Sequence, residues 1–429
     1  MIDSKQKIGL GIAIMAILLI GIAITSSWAT AGMVLGSSIL AVIVFAMGAA
    51  FASLKIRAGV QRYWRITTGL HAPESINIAE YITLGGVRQW ITVRGKDKRN
   101  PILLYLHGGP GTPLSDVGYQ FFSGLEDAFV VVHWDQRGSG RSNLNPEKLY
   151  PTMTYERMVE DAAELLRHLT ARFERQKIIV FGQSWGTFLG LDLAKRHPEL
   201  IAAYFAMGQG TNVHEEARLT WELGKKTAAE RGEIDLLERL QKLGPFPALT
   251  TDANGLISRA YTDWIAAAQL ALHDFGLGAF YAQTSAEIDP YFRALVLMSP
   301  SVSNKDLLNM LPGRPMVDTR PLEHLAAFYN AWDPIKVTEN KIDVPYILLM
   351  GRYDHITPIE PARAFHAGIE APYKRYIELP YAAHFVIPEQ PGLLTYHLIH
   401  ELLEFAPAAA AGDWQKPESV RVASGQESL

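Results

Sequence analysis

The hydrophobic pattern divides the chain into three kinds of segment. Residues 8–25 and 33–54 are uncharged, almost wholly apolar runs of eighteen and twenty-two residues. Each is about long enough to cross a hydrocarbon core of roughly 30 Å at 1.5 Å per residue. From 77 onward short, mostly β-branched runs alternate with amphipathic ones. Two strands around Gly85-Gly86 read as an antiparallel edge hairpin. Strands at 102–107, 129–134, 177–183 and 202–207, with helices near 154–173 and 187–196, read as a parallel core. The alternation stops after Gly208, and from about 211 to 330 the pattern is helical. Strands resume at 345–351 and 375–379, a helix at 392–405 closes the domain, and 406–429 reads as a disordered tail. The fold class is therefore α/β, with two transmembrane helices in a hairpin over 1–54 and a basic linker over 55–75. A core over 76–210 and 331–405 follows, with a helical cap inserted over 211–330.

The ends of the strands carry the candidate chemistry. Ile178-Ile179-Val180-Phe181 leads into Gly182-Gln183-Ser184-Trp185-Gly186, and a helix follows. In a strand–turn–helix context, Gly-x-Ser-x-Gly is a nucleophile elbow. A Cβ at either glycine would clash in so sharp a turn. The strand at 102–107 runs into His107-Gly108-Gly109-Pro110-Gly111, a glycine-rich turn suited to an oxyanion donor. The strand at 129–134 ends in the block from Asp135 to Ser142. Gly351-Arg352-Tyr353-Asp354 follows another strand, and His384 comes thirty residues after Asp354. Chain order Ser, Asp, His is that of the α/β-hydrolase arrangement.

Together the His107 to Gly111 turn, the Asp135 to Ser142 block and the elbow resemble the motif blocks of the proline iminopeptidase (prolyl aminopeptidase) family of α/β-hydrolases. The resemblance covers roughly residues 76 to 405. The family usually has a glycine before the histidine, where Ala383 stands here. The residues and the resemblance imply an α/β-hydrolase fold with a mostly parallel sheet and a helical cap.

The expected roles follow. Ser184 is the nucleophile, His384 its base, and Asp354 orients the imidazole. Asp333 is the rival acid, but it precedes its strand rather than following it. Backbone N–H groups of Trp185 and Gly109 form the oxyanion hole, with Gly108 as fallback, since Pro110 has no N–H. The Gly109–Pro110 bond is a candidate cis peptide. Asp135, Arg137 and Arg141 are assigned a structural role. The family recognises a free amino terminus with a cap carboxylate. Glu215 and Glu216, seven and eight residues after Gly208, stand where that carboxylate is expected, with Glu216 the nearer match. Surface charge on a helix is the alternative for both. The family's aromatic cluster in this region is reduced to Trp221.

Composition adds exclusions. A net charge of −4 gives no basic field for nucleic acid. Without cysteine there is no disulfide, thiolate metal site or cysteine nucleophile. His397 and His400 read as ordinary helix residues, and neither a metal nor an organic cofactor is called for. Ser184 argues against an epoxide hydrolase or dehalogenase, which carry aspartate at the nucleophile position. Lys5 and Lys7 precede the first apolar run, and Lys55, Arg57, Arg62 and Arg65 follow the second, which predicts both ends on the cytoplasmic side. A signal peptide ending at Ala29-Thr30-Ala31 is the rival for the first run. The Gly32/Gly36 spacing is read as chance. The expected function is a membrane-anchored serine hydrolase of amides or esters, an aminopeptidase by resemblance, whose partners are a small-molecule or peptide substrate and the bilayer. An esterase or lipase and a non-catalytic binding protein are the alternatives.

Overall fold

A computed structural model describes residues 28–245, 264, 280–281, 285–306, 325, 328, 332–412 and 414–416. Two compact units separate, Met1–Ile66 and Thr67–Leu429, and each is described by itself.

In the first unit, helix α1 (Trp28–Thr67) contains the apolar stretch 33–54. Its 40 residues correspond to roughly 60 Å at 1.5 Å rise. Residues 36–67 are long and apolar enough to cross a membrane. Ile39, Val42, Ile43, Phe45 and Met47 are all exposed. Two expectations are corrected here. Residues 28–32 are helical rather than part of an interhelical turn, and the expected linker is helical through Thr67. No proline interrupts this stretch, so nothing in the sequence stops the helix at its basic end. The expected first membrane segment, 8–25, lies outside the described residues.

The second unit is built on one eight-stranded sheet. Its strands are β1 (Ile76–Leu84), β2 (Val87–Gly95), β3 (Ile102–Leu106), β4 (Val130–Asp135), β5 (Ile178–Gln183), β6 (Ile201–Met207), β7 (Tyr346–Gly351) and β8 (Lys374–Leu379). The spatial order is β1-β2-β4-β3-β5-β6-β7-β8. β1 and β2 form an antiparallel hairpin in which Leu84 faces Val87. Gly85 and Gly86 both take positive φ, as a two-residue hairpin turn needs. β2 joins β4 antiparallel, and every later pairing is parallel.

The inner strands are buried and mostly apolar because both faces are covered. Leu104, Leu106, Val130 and Val132 pack on one side with Leu165, Leu166 and Leu189. Those partners come from α2 (Tyr155–Phe173) and α3 (Trp185–Arg196). Leu103, Tyr105, Val131 and Phe181 face the other side, with Leu394, Leu398 and Leu402 of the last long helix. Alternate residues of β3 thus serve opposite cores, as the two-residue period requires. Thr154 caps α2 by accepting the Arg157 N–H at 3.1 Å.

The described residues between β6 and β7 include the helices α4 (Val213–Arg231), α5 (Ile234–Leu243) and α6 (Ser285–Met298). Helices α7 (Ile359–Gly368) and α8 (Pro391–Leu402) complete the core. The start of the tail is not disordered. Ala406–Ala409 forms a helical turn with Ala406 and Ala409 fully buried. The Ala408 carbonyl accepts the Lys177 N–H at 3.0 Å, and the Ala411 N–H donates to Arg99 O at 3.0 Å. Trp414 Nε1 donates to Asn100 Oδ1 at 3.0 Å. Small alanines pack closely, which composition alone hides. Residues 417–429 lie outside the described part.

Candidate active site

The site lies at the carboxyl ends of the parallel strands. β4 and β5 flank β3 on opposite sides, so the strand order reverses there, and open sheets bind ligands outside such a reversal. The elbow joins β5 to α3 at Ser184, whose φ of 49° and ψ of −120° are unusual for a residue with a Cβ. The glycines explain how so tight a turn forms. A Cβ on Gly182 would lie 2.6 Å from Gly186 O, and one on Gly186 would lie 2.0 Å from Leu106 O. The Ser184 N–H donates to Met207 O at 2.9 Å, and its carbonyl accepts the Thr187 N–H at 2.8 Å. Both backbone ends of the serine are held.

His384 Nε2 is 2.9 Å from Ser184 Oγ, and its Nδ1 is 2.9 Å from Asp354 Oδ2. The acid follows β7 and the histidine follows β8. Asp354 is only 2% exposed and His384 3%. Asp354 Oδ1 accepts the N–H groups of Ile356 at 3.0 Å and Thr357 at 2.8 Å. Its Oδ2 accepts the Thr357 hydroxyl at 2.8 Å as well as the His384 ring. A buried carboxylate with four donors is satisfied and fixed. The three residues the sequence pointed to are therefore together, in hydrogen-bonded series. The rival Asp333 caps the helix Pro334–Thr338, accepting the Ile335 N–H at 2.9 Å.

The glycine-rich turn after β3 lies against the serine. A Cβ on Gly108 would be 3.2 Å from Ser184 Cβ, and the Gly109–Pro110 peptide is cis. His107 is fully buried, and burial pulls its pKa down to about 4, so the ring is neutral. His107 Nε2 accepts the Gln136 N–H at 3.2 Å, which leaves Nδ1 to donate to Gly108 O at 2.8 Å. The Gln136 side chain accepts the Trp185 indole N–H at 2.9 Å and donates to His107 O at 3.1 Å. This chain of contacts joins the two turns that face Ser184. Sequence reading had His107 and Gln136 inside its motif blocks but gave them no role. Thr357 was missed outright, since an isolated threonine carries no signal.

The two cap glutamates part company. Glu215 pairs with Arg218 on the exposed face of α4, at 2.7 and 2.8 Å, and is an ordinary helix charge. Its expected place in substrate binding is not supported by that position: the side chain is turned to solvent. Glu216, one residue on, is only 6% exposed. Its Oε1 accepts the Thr211 N–H and the Thr211 hydroxyl, the latter at 2.8 Å. Burial raises its pKa to about 7; the Thr211 bonds oppose the rise, Asp354 adds to it and His384 offsets it. Trp221 packs between the cap helices, its indole N–H donating to Leu240 O at 2.8 Å.

The block after β4 is structural, as expected. Arg137 makes a buried two-point bond to Asp161, at 2.7 and 3.0 Å, and donates to Gly85 O at 3.0 Å. Arg141 holds Asp116 at 2.8 Å, and its own N–H donates to Asp135 Oδ2 at 2.8 Å. Among the described residues, no three His, Cys, Asp or Glu side chains converge to hold a metal ion.

Comparison with known proteins agrees with this architecture. Residues 101–244 match the family model for the alpha/beta hydrolase fold. A Bacillus subtilis (strain 168) protein named "Probable aminopeptidase YbaC" is 29% identical over 335 residues, 77% of this chain and 98% of that one. A proline iminopeptidase of Arabidopsis thaliana is 32% identical over 114 residues, 27% of this chain and 28% of its own length. Among solved structures, a proline iminopeptidase-related protein from Thermus thermophilus superposes with a TM-score of 0.54 at 18% identity, covering 78% of this chain and 99% of that one. A bacterial membrane phospholipase A does so with a TM-score of 0.53 at 17% identity, covering 87% and 99%. The chain has the α/β-hydrolase fold and resembles the proline iminopeptidases.

Proposed function

We propose that the protein is a membrane-anchored serine hydrolase that cleaves an amide or ester through an acyl-enzyme. The observation that carries this reading is the series Ser184 Oγ, His384 Nε2, His384 Nδ1, Asp354 Oδ2, with both heavy-atom separations 2.9 Å. An unassisted hydroxyl is a poor nucleophile at neutral pH and needs an adjacent base. Ser184 Oγ attacks the carbonyl carbon while its proton passes to His384 Nε2. Asp354 stabilises the imidazolium and keeps Nδ1 as a donor. The carbonyl oxygen gathers negative charge and is met by the N–H groups of Trp185, at the start of α3, and Gly109. The N-terminal end of that helix favours the same charge. His384 then protonates the leaving amine or alkoxide, and water releases the acyl group by the same steps in reverse. A fluorophosphonate probe that labels wild type but not Ser184→Ala is the expected result. An unlabelled, active wild-type enzyme would sink the mechanism.

For substrate, the reading is an aminopeptidase. Glu216 supports it: a carboxylate from the cap, buried near His384, is a natural partner for a free ammonium group. The relative named as an aminopeptidase, matched along 98% of its length, points the same way. Acetylating the amine of an aminoacyl-amide substrate is expected to remove most turnover, and Glu216→Gln is expected to raise KM for the free amine but not for a neutral ester. Equal turnover of free and acetylated substrates would leave the second reading, an esterase or lipase, which the apolar α1 favours by setting the enzyme beside lipid. The catalytic unit belongs, on this reading, to the cytoplasmic side, supported by Lys5 and Lys7 before the apolar stretches and Lys55, Arg57, Arg62 and Arg65 after them.

A further inference from the structure

The residues on either side of His384 are held by the cap as well as by the core. The Ala383 N–H donates to Glu389 Oε2 at 2.7 Å. The other oxygen of that carboxylate, Oε1, accepts the N–H of Tyr281 in the cap region. Phe385 stacks on Phe280, with ring centroids 4.9 Å apart and planes 18° from parallel. The Tyr281 ring meets Tyr353, the residue before Asp354, at 4.6 Å. The dipeptide Phe280-Tyr281 therefore touches the neighbours of both His384 and Asp354. Glu389 ends the short helix Val386–Glu389, whose first turn begins beside His384. Burial raises its pKa; the two N–H groups oppose the rise, Asp354 adds to it and His384 offsets it.

We propose that Glu389 is a positioning residue: its carboxylate clasps the His384 loop and the cap dipeptide at once, so that seating of the cap sets the imidazole between Ser184 and Asp354. The proposal rests on the serine hydrolase reading. A carboxylate is required because both partners are donors. Glutamine would offer one acceptor oxygen and turn an NH₂ toward an N–H, losing one bond and creating a donor–donor contact. Glu389→Asp keeps two acceptors on a shorter stem. A displacement of about 1 Å in a catalytic group costs on the order of 10²-fold in rate.

The test compares wild type with Glu389→Gln, Glu389→Asp and Tyr281→Pro, the last removing the cap donor together with the ring that meets Tyr353. A p-nitrophenyl ester serves as substrate, and active sites are titrated with a fluorophosphonate. For Glu389→Gln the expected result is a kcat per titrated site lower by about 10- to 100-fold, with KM within about threefold. Fluorophosphonate labelling should slow by a similar factor, because phosphonylation of Ser184 also uses His384. Glu389→Asp and Tyr281→Pro should fall between wild type and Glu389→Gln, and they carry the test if the glutamine variant does not fold. A kcat per titrated site within about twofold of wild type in all folded variants overturns the proposal, since a purely structural role changes the number of active molecules and not their rate. Labelling of wild type is measured first. If it fails, the serine reading falls and this proposal with it, whereas a labelled wild type with equally fast variants overturns the proposal alone.

Discussion

Ser184 holds a backbone conformation that glycine adopts freely and residues with a Cβ avoid. Strain of this kind costs on the order of 1–3 kcal/mol and clusters at active sites. Ser184→Ala keeps the Cβ and the strain, whereas Ser184→Gly relieves it. Both should lose about 10⁴- to 10⁶-fold in turnover, and the glycine variant should melt higher than the alanine variant by the equivalent of about 1 kcal/mol. Turnover near wild type in a folded Ser184→Ala protein would contradict the mechanism. Glu216 makes a second residue-scale prediction. Its folded pKa of about 7 lies above the ordinary glutamate value of 4.5. Its contribution to stability is thus fully present below the unfolded value and is lost as pH rises through the folded one. Glu216→Gln should flatten the fall in stability between those two values in a melting series against pH. An ammonium substrate needs the ionised form, so KM for the free amine should rise as pH drops below neutrality while KM for an ester stays level. The identities of Ser184, Asp354 and His384 were legible because each follows a readable strand. The difference between Glu215 and Glu216 was not: adjacent helix residues point about 100° apart, and no local pattern says which one faces inward.

At the scale of elements, three segments far apart in the chain meet at Arg137. The loop after β4 supplies the guanidinium, α2 supplies Asp161, and the β1–β2 turn supplies the Gly85 carbonyl. Gln89 and Arg157 also donate to Asp161, at 2.8 and 2.9 Å. Removing one member of a buried ion pair strands the other charge, at a cost of about 3–5 kcal/mol. Arg137→Ala should lower the denaturation midpoint accordingly, less where Arg157 compensates. The double variant Arg137→Ala/Asp161→Ala should lose less than the two single losses added together. Equal midpoints for wild type and Arg137→Ala would show the bond to be without consequence. The elements themselves were readable almost throughout the sheet, because buried parallel strands are unbroken apolar runs bounded by glycine. Their partners were not, since contacts such as Arg137 with Gly85 or Glu389 with Tyr281 are set by tertiary approach over 52 and 108 residues of chain.

The chain divides into a first unit, whose described residues form the apolar helix α1, and a second unit that carries Ser184, His384 and Asp354. Deleting residues 1–66, the first unit, should move the enzyme from the membrane pellet to the soluble fraction with kcat for a water-soluble ester unchanged. Persistence of the truncated protein in the pellet would count against anchoring by this unit. A phosphatase fused at the C-terminus should be inactive if the catalytic unit is cytoplasmic. Within the second unit, the described part of the C-terminal segment, from Ala406 to Trp414, lies at the opposite end of the strands from Ser184. Its bonds to Arg99, Asn100 and Lys177 bind it just ahead of β3 and β5, where those strands begin, whereas the serine and the glycine-rich turn leave from where they end. Anchoring of the tail and presentation of Ser184 thus fall at opposite ends of the same strands. A reporter coupled at Trp414 is expected to sit at the end of the sheet away from Ser184.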